Sequence, residues 1–189
     1  NDLYIHQGTF NSNNYNTHSA RFYVTGSSSL NLNLGTSTIE SDYGAGSTTY
    51  CMYIGHSNAT YNVDEATFNL ANTYNRSNFY CSNAIDFGTI VFNQYSSRSY
   101  FGASSTVDSV FYNQVSSASN LYTVDTINYL KLTNNSATIS LYATTAHIRK
   151  AEIHGNTYFA NDCSFDTLNL ISSSGNKIYT LGDGSTITI

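Results

Sequence analysis

Three stretches decide how this chain is built: Phe87-Gly-Thr-Ile-Val-Phe-Asn93, Val107-Asp-Ser-Val-Phe-Tyr-Asn113 and Ile127-Asn-Tyr-Leu-Lys-Leu-Thr-Asn134. Apolar and polar residues alternate within each and the run closes on Asn, the mark of a β-strand with one face turned inward. They carry the apolar pairs Ile90/Phe92, Val110/Tyr112 and Leu130/Leu132. The series extends back to Phe68/Leu70 and forward to Ala151/Ile153, Leu168/Leu170 and Ile187/Ile189, in steps of 22, 20, 20, 21, 17 and 19 residues. A second series, Tyr80, Tyr100, Tyr122, Tyr142, Tyr158 and Tyr179, keeps pace about 8–10 residues ahead of the first. A unit of about 20 residues cannot bury its own apolar face, so successive units must stack as coils.

The expected fold is all-β: a single-domain parallel β-solenoid over residues 1–189, of about eight or nine coils with a period of about 20 residues. An antiparallel sandwich also turns every 8–12 residues. Here, however, like segments return at every second turn, in the same order and direction. Asn and Gly stand at the expected corners, at Asn93, Asn113, Asn134-Asn135, Gly155-Asn156 and Gly175, and both tolerate the left-handed backbone a sharp corner needs. Asn stacked on Asn also offers an amide hydrogen-bond ladder. The tyrosine series is expected to stack inside the coil, with Phe101 and Phe159 as neighbouring substitutes.

The N-terminal coils are looser. Leu32/Leu34, with Phe22 ten residues earlier, fits the scheme, but Phe68/Leu70 lies 36 residues on. Either Tyr50/Met52 is the missing rung, or residues 36–47 form a loop outside the stack. No linker or shift in composition divides the chain.

Composition narrows the function. Charged residues make up 10% of the chain, against roughly 25% in ordinary globular proteins. Asn, Ser and Thr fill the surface, with 17 Tyr, no Pro and no Trp. Low charge with in-register aromatics argues against disorder. The net charge is −5 and the seven basic residues are scattered singly, so no stripe exists to neutralise phosphates and no nucleic-acid partner is expected. No apolar run approaches the ~20 residues of a membrane-spanning helix, and the apolar pairs are too short for the ten-residue spans of an outer-membrane barrel.

No catalytic, cofactor or metal site is expected. The three cysteines, Cys51, Cys81 and Cys163, have no ligand spacing and are expected to be buried, inert thiols. Cys51 and Cys81 could bridge only if one enlarged coil lies between them. Asp108, Asn128, Arg149 and Asp166 share one position in successive coils. A glycosidase needs carboxyls about 5–9.5 Å apart, whereas three rungs separate the two Asp by roughly 14 Å; a solvated face is expected. His6, His18, His56, His147 and His154 form no metal motif, and Gly44-Ala45-Gly46 and Gly182-Asp183-Gly184 read as corners. Asn58, Asn75 and Asn134 open N-x-[ST] triplets, which chance supplies in so Asn-rich a chain. Thr-Ser-Thr at 36–38 and Thr186-Ile187-Thr188 hint at an ice-binding array, but no Thr-x-Thr repeats coil by coil. Tyr15, Tyr43, Tyr61, Tyr74 and Tyr95 are expected to face outward, where tyrosine suits adhesive contacts and sugar stacking.

The Asn/Ser/Thr-rich coils, the missing prolines and segments such as Thr157-Tyr-Phe-Ala-Asn-Asp-Cys-Ser-Phe-Asp-Thr-Leu-Asn-Leu170 resemble the passenger domains of bacterial autotransporters, above all the vacuolating-cytotoxin-like passengers. The resemblance covers roughly residues 76–189. It implies a right-handed β-helix at the cell surface or outside the cell, serving as an adhesin, colonisation factor or toxin. The three cysteines depart from those cysteine-poor proteins. The expected function is therefore a non-enzymatic adhesive or structural solenoid, with a self-assembling filament subunit or a β-helical polysaccharide lyase or hydrolase as alternatives. Its expected partners are a cell-surface glycan or protein, or other copies of the chain. A start at Asn1 suggests a processed piece of a secreted precursor. A last segment Thr186-Ile187-Thr188-Ile189, without a capping element, leads one to expect a covered final rung.

Overall fold

The computed structural model describes residues 1–43, 50–71, 77–93, 97–102, 104–115, 119–122, 125–134, 138–142, 146–171, 179–182 and 187–189. Among them every regular element is a strand, and every pairing is parallel. Three coils have three strands each: β1 (Leu3–Ile5), β2 (Gly8–Asn11) and β3 (Thr17–Ser19); β4 (Phe22–Gly26), β5 (Leu30–Asn33) and β6 (Thr38–Ser41); β7 (Met52–His56), β8 (Ala59–Asn62) and β9 (Thr67–Leu70). The following coils have two strands each. They are β10 (Ser77–Cys81) with β11 (Asp86–Asn93), β12 (Ser97–Tyr100) with β13 (Thr106–Val115), and β14 (Ser119–Tyr122) with β15 (Thr126–Asn134). Then come β16 (Ile139–Tyr142) with β17 (Ala146–Ile153), β18 (Thr157–Phe159) with β19 (Cys163–Leu170), and β20 (Tyr179–Leu181) with β21 (Ile187–Thr188). Stacked, they form two nine-stranded sheets and one three-stranded sheet, β2-β5-β8. The molecule is a parallel β-solenoid.

The apolar pairs set the register. Phe68 lies beside Ile90, Ile90 beside Val110, Val110 beside Leu130, Leu130 beside Ala151 and Ala151 beside Leu168. From Phe68/Leu70 to Ala151/Ile153 both members of each pair are fully buried. Each large side chain so buried contributes about 1.5–3 kcal/mol relative to leaving it in water. Ile187/Ile189 is the exception, because Ile187 pairs with Cys163 and not with Leu168. A pair that matched by spacing thus belongs to the preceding stretch of the rung.

The N-terminal coils resolve differently from either sequence alternative. The rung before Phe68/Leu70 is Ile39/Ser41, within the stretch read as a possible loop. Met52 instead lies between Phe22 and Phe79 in the other long sheet, and Leu30, Leu32 and Leu34 turn inward on the third side. Steps of 30 residues from Phe22 to Met52 and 27 from Met52 to Phe79 accommodate a third strand.

The long strands β11 to β19 bend where the burial pattern skips a beat. Ile148 is buried, Arg149 and Lys150 face out, and Ala151 is buried again. Two successive outward residues reverse the phase of the pleat and turn the strand through a corner. Asp108, Asn128, Arg149 and Asp166 occupy the first of the two outward positions, and Gly88, which is buried, holds the equivalent place in the register.

Amides stack as expected, with Asn93 joined to Asn69 at 2.7 Å, Asn113 to Asn93 at 3.1 Å and Asn62 to Asn33 at 3.0 Å. Asn93 and Asn113 sit inside strands, however. Among the described residues the left-handed corners fall at Gly8, Asn13, Asn14, Gly26, Gly35 and Ser104. Residues 44–47, 74, 75, 95, 135, 175, 183, 184 and 186, and the side chain of Asn134, lie outside the described residues.

Candidate functional site: the tyrosine face

The sequence places the tyrosine series inside the coil; the structure turns it outward. Tyr4, Tyr23, Tyr53, Tyr80, Tyr100, Tyr122 and Tyr142 stand side by side on seven consecutive strands of the sheet that begins with β1. Alternation sends their neighbours Phe22, Phe79, Ser99, Leu121 and Leu141 into the core. The hydroxyl explains the choice of face, since a phenol inside an apolar coil needs a partner that phenylalanine does not. The inner aromatics are accordingly phenylalanines, with Phe79 in contact with Phe68, Phe87 and Phe101 at centroid distances of 5.3–6.0 Å. Tyr112 is the buried exception, and its hydroxyl meets Ser99 Oγ at 2.8 Å. Tyr158 shares the outer face but lies beside Ser140, out of the row, while Tyr179 packs against the core. Phe101 and Phe159 are buried.

The row is in ring contact throughout. Tyr100 and Tyr122 stack at 4.5 Å and 3°, Tyr122 and Tyr142 at 4.9 Å and 7°, and Tyr53 and Tyr80 at 4.9 Å and 10°. Tyr4, Tyr23 and Tyr53 meet edge to face at 5.2 and 5.9 Å. Each pair adds about 0.5–1.5 kcal/mol beyond area burial. Stacking covers the ring faces and turns ring edges toward solvent, at a rung spacing of about 4.8 Å. Asn120 Nδ2 donates to the Tyr122 hydroxyl at 2.9 Å. Partial burial, and then the neighbouring phenols, push the Tyr50 and Tyr122 hydroxyls above their ordinary pKa, so they remain hydrogen-bond donors. Tyr53 lies across Gly55, where a Cβ would meet the ring within 2.5–2.8 Å.

The other candidates separate. Cys51, Cys81 and Cys163 are buried, and burial pushes their thiols up to about 12, 11 and 11. Asp108 accepts from Asn128 at 2.8 Å, and Asp166 lies 3.2 Å from His147 Nε2, so the corner row is a solvated polar ladder. His147 Nδ1 also meets Ser164 Oγ at 3.0 Å, bringing Ser164, His147 and Asp166 together in the manner of a nucleophile, base and orienting group. No short motif announces this trio. It sits on β17 and β19, where Ser164 lies between His147 on one side and Thr188 on the other.

A 530 Å³ cleft opens where the three-stranded sheet stops at β8, lined by Tyr61, Asn62, Asp64, Ala84, Ile85 and Asp86. Among the described residues no group of three His, Cys, Asp or Glu is placed to hold a metal. Of the tyrosines expected outside, Tyr15 is exposed, Tyr43 lies under the Arg21 guanidinium at 4.2 Å, and Tyr61 is half-buried with its hydroxyl donating to His56 O. Asn58 is exposed.

Set against known proteins, the chain matches no family model, no curated protein and no solved structure.

Proposed function

We propose that the chain is a non-enzymatic structural and adhesive solenoid of the cell exterior that binds an extended glycan along its tyrosine face. The seven-rung tyrosine row carries this reading. A polymer lying parallel to the solenoid axis meets phenol edges on successive rungs, so individually weak contacts add through multivalency. The polar, nearly uncharged surface and the likeness of the coils to autotransporter passengers support a place outside the cell. Replacing Tyr100, Tyr122 and Tyr142 together by serine should abolish retention on insoluble polysaccharides and leave the circular dichroism spectrum in place. Undiminished retention would remove the tyrosine face as the binding surface. Polysaccharide turnover lost on Asp166→Asn would favour the enzyme instead.

A second reading, self-association, has its own observation. β20 and β21 are the outermost strands of the two long sheets, and Leu170, Leu181 and Ile189 around them are 48%, 50% and 77% exposed. Unpaired strand edges beside apolar side chains recruit further strands, and a head-to-tail contact between copies propagates without closing. Light scattering and electron microscopy should show filaments. A monomer that stays monodisperse for days would overturn this reading.

A further inference from the structure

Tyr50, two residues before β7 begins, leans over the middle of the tyrosine row. Its ring centroid lies 5.0 Å from Tyr80, 5.8 Å from Tyr53 and 6.4 Å from Tyr100, at inclinations of 43°, 50° and 89°. The Tyr23 hydroxyl donates to the Tyr50 carbonyl at 2.7 Å and fixes the chain there. Farther along, Tyr100, Tyr122 and Tyr142 are parallel within 3° and 7°. Oxidative coupling of two phenols joins the carbons ortho to their hydroxyls and gives a twisted biaryl. Parallel rings present faces to each other, whereas an inclined ring presents an edge. Contact within the chain also outcompetes encounter between chains, because it removes the translational cost of bringing two rings together.

We propose that Tyr50 and Tyr80 are a covalent cross-linking pair, coupled to dityrosine by hydrogen peroxide acting through a haem peroxidase. Each phenol gives up one electron and one proton. The two radicals form a single carbon–carbon bond between ortho positions, and the hydrogens on the joined carbons move to the oxygens to restore both phenols. The two hydrogen atoms removed reduce one peroxide to two waters. The product ties the segment entering β7 to β10 in the next coil. Cys51 and Cys81, the thiols of these two coils, supply no such tie, each donating instead to a backbone carbonyl, that of Asn78 and that of Asn83. The inference does not depend on what the row binds.

The test uses the full chain at micromolar concentration with peroxidase and peroxide. The monomer fraction should acquire blue dityrosine fluorescence, and mass spectrometry of its digest should show the Tyr50 and Tyr80 peptides joined with loss of two hydrogens. Tyr50→Phe should lose that species completely, along with most of the monomer fluorescence, at an unchanged circular dichroism spectrum. The wild-type digest decides the matter even if a variant folds poorly. A monomer fraction free of dityrosine overturns the proposal. So does coupling confined to Tyr100–Tyr122 or Tyr122–Tyr142, or Tyr50→Phe at wild-type yield.

Discussion

Replacing Phe79 by alanine should lower the free energy of unfolding by about 3–5 kcal/mol, while the same change at adjacent Tyr80 should cost less, since it removes surface ring contacts of about 0.5–1.5 kcal/mol each and leaves no cavity. Phe79 is fully buried among Phe68, Phe87 and Phe101, so its removal leaves a cavity that the stacked coils above and below cannot close. Tyr80 touches Tyr50, Tyr53 and Tyr100 on the outer face, and water replaces whatever is removed there. Urea denaturation of the two variants gives the comparison directly. Equal losses, or a larger loss at Tyr80, would mean that the sheet is paired one residue out and that tyrosine is the inward residue.

The second large effect falls on a residue without a side chain. Gly88 holds the corner position that Asp108, Asn128, Arg149 and Asp166 hold in later coils, so the repeat alone suggests that any of these would serve. A Cβ at Gly88 would lie 2.5 Å from the Ala66 carbonyl oxygen and 2.7 Å from that of Asp64. Both obstacles are backbone, so the strand must move. Gly88→Ala should therefore destabilise by about 1–3 kcal/mol, and Gly88→Asp by at least as much, in thermal or urea unfolding. Asp108→Ala should unfold close to the wild type, since Asp108 is exposed and its partner Asn128 can turn to water. A Gly88→Ala variant of wild-type stability would show that the third and fourth coils are not so closely apposed.

The pairs from Phe68/Leu70 to Ala151/Ile153 were readable because both members are apolar, both face inward and the rung length barely varies. Where any of these conditions fails, so does the reading. Ile39/Ser41 has a polar second member and does not register as an apolar pair. Ile187 fell into the series by spacing although its partner is Cys163. The coils that carry a third strand are longer, so Phe22, Leu32 and Met52 could not be assigned to sides by a fixed period. The tyrosine row was found, but its face was not. At Phe79-Tyr80, Tyr100-Phe101, Leu141-Tyr142 and Phe159-adjacent Tyr158 both neighbours are bulky and largely apolar, and a one-residue slip exchanges the faces of a strand. Hydropathy cannot separate such pairs; the phenol's need for water does. The tilt of Tyr50 and the Ser164–His147–Asp166 cluster arise from stacking alone and leave no trace in local sequence.

The side-chain amides also have a direction. Glu40 Oε2 can only accept, so Asn69 must offer it the NH2 end and turn its oxygen to Asn93, which in turn receives Asn113. Asp108 imposes the same sense on Asn128, and Asn62 donates to Asn33 likewise. In all of these the later coil donates and the earlier coil accepts. Hydrogen bonds in such chains polarise one another, and aligned amide dipoles add where alternating ones would cancel. These amide rows thus share one electrical direction, with Glu40 and Asp108 terminating two of them on the N-terminal side and amide oxygens pointing toward the C-terminal side. Two such rods would recognise head from tail before any side chain interlocked.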